Sequence, residues 1–167
     1  MKLNKIALSG VMMALVAVVT KLLQIPTPLT QGYINLGDIF VLFSGFYLGR
    51  GLGFAIGGVG SMLADILSGY PFYYVTFLVK GLEGYMAGLP SFCHRMDLSR
   101  TSNGLRLLYG SVTGAAFMVA GYFILHIAVF NKIKAFSSLA PNAVQAVAGV
   151  AGALIVYNRT IGRKLYK

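Results

Sequence analysis

Long apolar stretches dominate this chain and limit what it can fold into. They run for about 20 residues each, the length that a helix needs to cross a hydrocarbon core of ~30 Å. Of the 167 residues, 57% are hydrophobic and only 11% are charged, whereas a soluble globular domain carries roughly 25% charged residues. Such a chain cannot cover a surface that faces water. The sequence therefore predicts an all-α, polytopic membrane protein that forms one domain over residues 1–167.

Prolines, glycines and polar residues divide the chain into six predicted transmembrane helices. Proline ends helices because it lacks a backbone N–H and restricts the residue before it. Residues 25–37 and 131–140 are predicted loops, and Pro141 is predicted to lie in a first helical turn, where proline is tolerated. The predicted spans cover about 5–24, 38–49, 52–68, 72–89, 105–130 and 141–157.

Lysine and arginine are distributed unevenly along the chain, whose net charge is +10. They concentrate at the N-terminus, near residue 50, in 95–106 and after residue 158, while the loop 131–140 holds only Lys132 and Lys134. Cytoplasmic loops are enriched in Lys and Arg, so we predict that both termini are cytoplasmic. In a soluble protein this charge would suggest nucleic acid. Here we expect membrane lipid around the chain and no nucleic-acid partner.

Small residues four positions apart recur in the predicted spans. In lipid no hydrophobic drive brings helices together, so small residues stabilise helix pairs by allowing close approach. Most of these pairs are predicted to pack within the bundle. Gly10 and Ala14 lie on the terminal first span, where packing or a docking surface for a partner protein are both open interpretations.

Three charged residues, Asp65, Lys80 and Glu83, fall within predicted spans. A charged side chain at bilayer depth is costly and marks a functional site. With a rise of ~1.5 Å per residue, these side chains lie in the half of the bundle that is predicted to face outside. They predict a small-molecule pocket open to the outside rather than a pore, with further polar residues in the last two spans: His126, Asn142 and Gln145.

Candidate binding residues also come from the loop after the first span and from the start of the fourth span: Tyr33, Asn35 and Tyr74. Tyrosines at the rim could stack on a planar ligand, or could belong to an interfacial aromatic belt.

Structural roles compete with binding for several of these residues. Lys80 could form an ion pair with Glu83 or Asp65, and His126 could be a packing histidine. Asp38, at the start of the second span, is better explained as a helix cap.

The sequence contains neither the HExxH motif of metalloproteases nor the GxSxG motif of hydrolases, and no cluster of His and Cys. We therefore expect no enzymatic activity, no cofactor and no metal site. An intramembrane enzyme that uses Lys80, Glu83 and His126 is disfavoured for the same reason. No ATP-binding motif is present, so concentrating a solute would require a partner or an ion gradient.

A set of short motifs, together with the six-span layout, resembles the S components of energy-coupling factor (ECF) vitamin transporters. The closest resemblance is to the subgroup described for riboflavin, hydroxymethylpyrimidine, pyridoxine or pantothenate. The motifs are Pro26-Thr27-Pro28, Gly32-Tyr33-Ile34-Asn35-Leu36-Gly37-Asp38, Gly49-Arg50-Gly51-Leu52-Gly53, Gly60-Ser61-Met62-Leu63-Ala64-Asp65, Gly69-Tyr70 and Lys80-Gly81-Leu82-Glu83-Gly84.

The resemblance implies a substrate-binding subunit in the plasma membrane of a prokaryote. Such subunits bind a vitamin from outside beneath a lid formed by the loop after span 1. They then associate with a transmembrane coupling protein and two ATPase subunits, which hydrolyse ATP. Members of such families dock through an Ala-x-x-x-Ala motif in span 1, which reads Gly10 and Ala14 here.

The ligand class remains open between several vitamins. A lysine and a glutamate beside tyrosines favour pyridoxine or hydroxymethylpyrimidine, while riboflavin is possible and Lys80 could also bind the carboxylate of pantothenate. The alternative function is an autonomous proton-coupled secondary transporter of a small polar metabolite, with Asp65, Lys80 and Glu83 carrying the protons.

Overall fold

Seven α-helices and one two-stranded hairpin make up the part of the chain that is described. The computed structural model describes residues 2–27, 32–92 and 100–162. The helices are α1 (Lys2–Leu22), α2 (Asp38–Leu48), α3 (Arg50–Ser68), α4 (Tyr73–Ala87), α5 (Leu89–Phe92), α6 (Arg100–Val129) and α7 (Lys132–Tyr157), followed by a π-helical turn at Asn158–Gly162.

The prediction of a helical membrane protein is confirmed. Four helical segments are long and apolar enough to cross a membrane: Asn4–Leu22, Arg50–Ser68, Gly104–Val129 and Lys132–Thr160. The helices α2, with 11 residues, and α4, with 15 residues, are shorter, about 16 Å and 22 Å long at 1.5 Å per residue. With α5 only one turn long, the other six helices form the predicted bundle.

The predicted loop 131–140 is wrong, because α7 begins at Lys132 and runs through this segment. Asn131 caps the helix, with its side chain accepting a hydrogen bond of 2.8 Å from the backbone N–H of Lys134. Pro141 therefore lies inside α7 and not in a first turn. Membrane helices tolerate internal proline where neighbouring helices and hydroxyl side chains satisfy the freed backbone groups.

The predicted loop 25–37 contains a short β-hairpin. Strand β1 (Ile25–Thr27) pairs antiparallel with β2 (Gly32–Ile34), and Pro26 lies opposite Tyr33. The strands follow the C-terminal end of α1 and precede the N-terminal end of α2. We call this end of the bundle, which also carries the end of α3 and the starts of α4 and α7, the hairpin end.

Close helix contacts in the centre of the bundle depend on glycine. A Cβ added at Gly84 of α4 would lie 2.7 Å from the carbonyl carbon of Gly53 in α3, and one at Gly53 would lie 2.6 Å from the Cα of Gly45 in α2. Real Cβ atoms do not approach backbone so closely, so these glycines set the spacing of three helices. In contrast, a Cβ at Gly10 of α1 would meet nothing within 4 Å.

Two turns require glycine for their backbone conformation. Gly49, between α2 and α3, has a φ of 93°, and Gly69, at the end of α3, has a φ of 69°. These positive values favour glycine because it lacks a Cβ. The turn at Gly69 leads to Tyr70 and places it near the hairpin.

Candidate ligand-binding site

A cavity lies at the hairpin end, between the hairpin and the ends of five helices. Its enclosed volume is about 60 Å³, within about 580 Å³ of empty space that includes the open mouth. The lining is polar and aromatic, in a bundle whose helices are otherwise mostly apolar. The cavity is lined by Thr20, Thr27, Tyr33, Asn35, Ser61, Asp65, Tyr70, Thr76, Lys80, Tyr122, His126, Ser138, Pro141, Asn142 and Gln145.

Hydrogen bonds that involve Tyr33 and Asn35 connect the hairpin to three helices. The Tyr33 hydroxyl donates to the Asp65 carboxylate of α3. The backbone N–H of Asn35 donates to Gln145 Oε1 of α7 over 2.9 Å, and Thr20 of α1 donates to Asn35 Oδ1 over 3.3 Å. The hairpin therefore closes one side of the cavity and is held there by buried polar contacts.

The tyrosines over the cavity remain protonated. Burial, and after it the Asp65 carboxylate, raises the pKa of the Tyr33 phenol above its usual value. The same two causes raise the pKa of Tyr70 to about 12. The two rings meet edge to face, with centroids 6.3 Å apart. Both phenols can thus act as hydrogen-bond donors at neutral pH.

Lys80 lies in a buried ion-pair cluster with two carboxylates. Its ammonium contacts Asp38 of α2, and lies 3.0 Å from Glu83 Oε2 on its own helix. The expected ion pair with Glu83 is therefore present. Glu83 itself is fully buried and is not among the residues that line the cavity, so it supports Lys80 from behind.

The expected capping role of Asp38 is wrong. The N-cap of α2 is Gly37, and no side chain caps this helix end. The Asp38 carboxylate is 1% exposed and contacts Lys80 and Gln145 instead. A buried carboxylate requires a cation and hydrogen bonds to offset its lost hydration. For Asp38, the Lys80 ammonium supplies the cation and Gln145 donates a hydrogen bond.

Gln145 joins the hairpin to this ion-pair cluster. Its Oε1 accepts from Asn35, and its Nε2 donates to Asp38 Oδ2 over 2.8 Å. Both ends of the amide are thus used within the protein. Gln145 and Asn35 line the cavity, but their arrangement holds the hairpin in place.

Of the other predicted residues, two offer free polar atoms to the cavity. His126 Nδ1 and Asn142 Nδ2 are buried and have no hydrogen-bond partner among the described residues. His126 stacks beside Tyr122, with centroids 6.4 Å apart. Tyr74 is not brought to the cavity, because its side chain is 55% exposed and packs against Phe72 and Tyr73.

Several lining residues were missed by the sequence interpretation. Four of them lie one helical turn before a predicted residue, at the i,i+4 spacing that places side chains on one helix face. That spacing was the signal that could have found them. The four pairs are Ser61 with Asp65, Thr76 with Lys80, Tyr122 with His126, and Ser138 with Asn142.

No metal centre is evident in the residues described. In 2–27, 32–92 and 100–162, no group of three or more His, Cys, Asp or Glu side chains is placed to hold a metal ion.

The comparison with protein families decides what kind of protein this is. Residues 1–161 match the family model of the ECF-type riboflavin transporter S component. The chain belongs to this family. It is therefore a substrate-binding membrane subunit of an ECF transporter and not an enzyme. Membership implies partnership with ECF coupling and ATPase subunits and a vitamin-like substrate.

Two curated relatives match parts of this chain, and one solved structure shares its fold. An uncharacterized protein encoded in a gap 3' region of Pyrococcus woesei is 38% identical over 136 residues, which cover 81% of this chain and 86% of that protein. A UPF0397 protein of Lactobacillus acidophilus is 26% identical, over 64% of this chain and 56% of that protein. A solved S component of a bacterial ECF transporter shares the fold, with a TM-score of 0.70, 14% identity and complete coverage of both chains.

Proposed function

We propose that this S component captures a small water-soluble vitamin or vitamin precursor in the cavity at the hairpin end. Single-ring heterocycles with hydroxyl groups, such as pyridoxine or hydroxymethylpyrimidine, are favoured. Riboflavin, which the family description names, and pantothenate are the alternatives. The observation that carries this proposal is a polar and aromatic cavity closed by a hairpin.

The size of the cavity favours a small ligand. Its enclosed volume of about 60 Å³ is below the ~300 Å³ at which ligand pockets typically begin. We expect that binding of even a single ring moves the hairpin outward. A three-ring ligand such as riboflavin would require a larger displacement of Tyr33 and the hairpin contacts.

The charge of the cavity disfavours pantothenate. Lys80 would have to bind the carboxylate, but it is already paired with Asp38 and Glu83. A third carboxylate, that of Asp65, lines the cavity itself. An added anion would face these carboxylates without a free ammonium to compensate it.

The hairpin end is proposed to face the outside of a prokaryotic cell membrane, with the hairpin as the lid. The distribution of Lys and Arg supports this orientation. Docking to the transmembrane coupling protein is proposed through Gly10 and Ala14, and two ATPase subunits are proposed to supply the energy. Both residues lie exposed on α1, which leaves this small-residue surface open to a partner helix.

Binding measurements on the purified full chain test the ligand proposal. Isothermal titration with pyridoxine, hydroxymethylpyrimidine, riboflavin and pantothenate should give saturable binding for at least one. Asn142→Ala should weaken it about three- to tenfold, the effect of one hydrogen bond. Asn158→Ala is the matched control, because Asn158 follows the opposite end of α7 and is exposed. Its affinity should equal that of the unmodified chain.

Two results would contradict the proposal. Absence of saturable binding to all four compounds would exclude a vitamin-binding function. If Asn142→Ala leaves the affinity unchanged, the cavity is not the binding site.

Docking requires a separate experiment. Gly10→Leu should abolish co-purification with the coupling and ATPase subunits while ligand affinity is retained. Co-purification that is unaffected by Gly10→Leu would contradict the docking role.

A further inference from the structure

Among the described residues, the cavity wall and the ion-pair cluster behind it contain three carboxylates and one ammonium. Asp38, Asp65 and Glu83 are each at most 1% exposed, and the ammonium that faces them is that of Lys80. These are three of the four acidic residues in the whole chain. With all of them ionised, three carboxylates face one ammonium, which already makes its ion pairs with Asp38 and Glu83.

Uncompensated charge at bilayer depth is costly, so a proton or a bound cation that neutralises one of these carboxylates would stabilise the protein. Two carboxylate oxygens, Asp65 Oδ2 and Glu83 Oε1, are buried without a hydrogen-bond partner among the described residues. Only Asp65 lines the cavity. A molecule in the cavity would therefore meet the Asp65 carboxylate and not that of Glu83.

The two oxygens of the Asp65 carboxylate differ in their contacts. Tyr33 donates its hydroxyl to the other oxygen, Oδ1, which leaves Oδ2 as the remaining acceptor. An exocyclic amine would donate a charge-assisted hydrogen bond there, about twice as strong as a neutral one. A carboxylate or a phosphate in the same place would be repelled.

We infer that Asp65 determines specificity by selecting a ligand with an exocyclic amine, and by rejecting anionic ligands. This inference rests on the proposed function and narrows its substrate class. Asn142 Nδ2 and His126 Nδ1, the other cavity atoms without a hydrogen-bond partner among the described residues, are left to hydrogen-bond the hydroxyl groups of the same ligand.

Two pairs of matched ligands test the inference on the purified full chain. One pair is hydroxymethylpyrimidine and its analogue in which a hydroxyl replaces the exocyclic amine. The other is pyridoxamine and pyridoxine. In whichever pair binds, the amine should bind about tenfold tighter or more, the effect of one charge-assisted hydrogen bond. Asp65→Asn should reduce that ratio to about one while the hydroxyl member still binds, and Asp65→Glu should retain the preference.

The inference is overturned if the unmodified chain binds the hydroxyl member or pantothenate as tightly as the amine. It is also overturned if Asp65→Asn weakens both members equally, because a merely structural role would do that. Should Asp65→Asn fail to fold, the ratios of the unmodified chain and of Asp65→Glu decide. Binding of riboflavin alone would leave the proposed function intact and refute this inference, whereas binding of no vitamin would refute both.

Discussion

Replacement of Lys80 by methionine should strongly destabilise this S component. Methionine keeps the length of the side chain and removes its charge, which leaves the carboxylates of Asp38 and Glu83 without a cation. Lys80 is 3% exposed at its side chain and pairs with both of them. Removal of one partner from a buried ion pair costs about 3–5 kcal/mol.

The structure sets the magnitude near the middle of that range. Lys80 serves two carboxylates, which increases the cost, but Gln145 still donates to Asp38 and one carboxyl can take up a proton. A loss of about 4 kcal/mol corresponds to a Tm lowered by roughly 8–16 °C, at ~2–4 °C per kcal/mol for a chain of this size.

Circular dichroism of the detergent-solubilised chain during heating measures this change. The control is Lys21→Met, because Lys21 is exposed and donates to the hydroxyl of Ser68 in an exposed hydrogen bond, so its Tm should change by less than ~2 °C. A second substitution, Asp38→Asn, should restore part of the Tm of Lys80→Met because it removes one uncompensated carboxylate. The reasoning is refuted if Lys80→Met behaves like Lys21→Met, or if Asp38→Asn lowers its Tm further.

Three other predictions concern packing, the hairpin and pH. Gly84→Ala should lower the free energy of unfolding by ~1–3 kcal/mol or more, because the added methyl group overpacks against α3. Gly10→Ala is the control: open space surrounds Gly10, so its Tm should stay equal or rise. Thermal melts compare the two variants. Gln145→Leu should leave the N–H of Asn35 unpaired, so hydrogen exchange at that amide should accelerate, and unchanged exchange would contradict the role of Gln145. Because the pKa of Tyr70 is raised to about 12, its contribution to stability is present below pH ~10 and is lost as pH rises towards 12; alkaline melts should show a smaller loss for Tyr70→Phe.

The helical fold was predictable because it depends on the length and apolar composition of each segment, and both can be read directly from the sequence. Apolar runs and glycine turns predicted six helices, and the structure agrees at most boundaries. The exception at 131–140 arose because a proline rule from soluble helices was applied to a membrane helix. Pro141 is tolerated inside α7, and the polar residues before it lie in the first turns of this helix, which Asn131 caps. The hairpin was not predicted, because the pairing of β1 with β2 depends on contacts between two strands that no local sequence pattern revealed.

The candidate site was predictable only as a set of costly residues. Burial of charge is expensive wherever it occurs, so Asp65, Lys80 and Glu83 could be identified from sequence as belonging to one site. Asp38 could not, because its position at a helix start has an ordinary explanation as a cap. Its true partner, Lys80, lies 42 positions away, and only the packing of α2 against α4 brings the two together.

What separates ligand contacts from supporting residues is which polar atoms the protein itself leaves unused. Lys80 and Gln145 have partners within the fold, and Gln145 links the hairpin to the ion pairs. Asp65, His126 and Asn142 each present a buried polar atom without a partner among the described residues. Buried polar atoms are rarely left unsatisfied, so these three are the atoms that a ligand would satisfy. Their substitution should change affinity, whereas substitution of Lys80 or Gln145 should first change the stability of the closed hairpin.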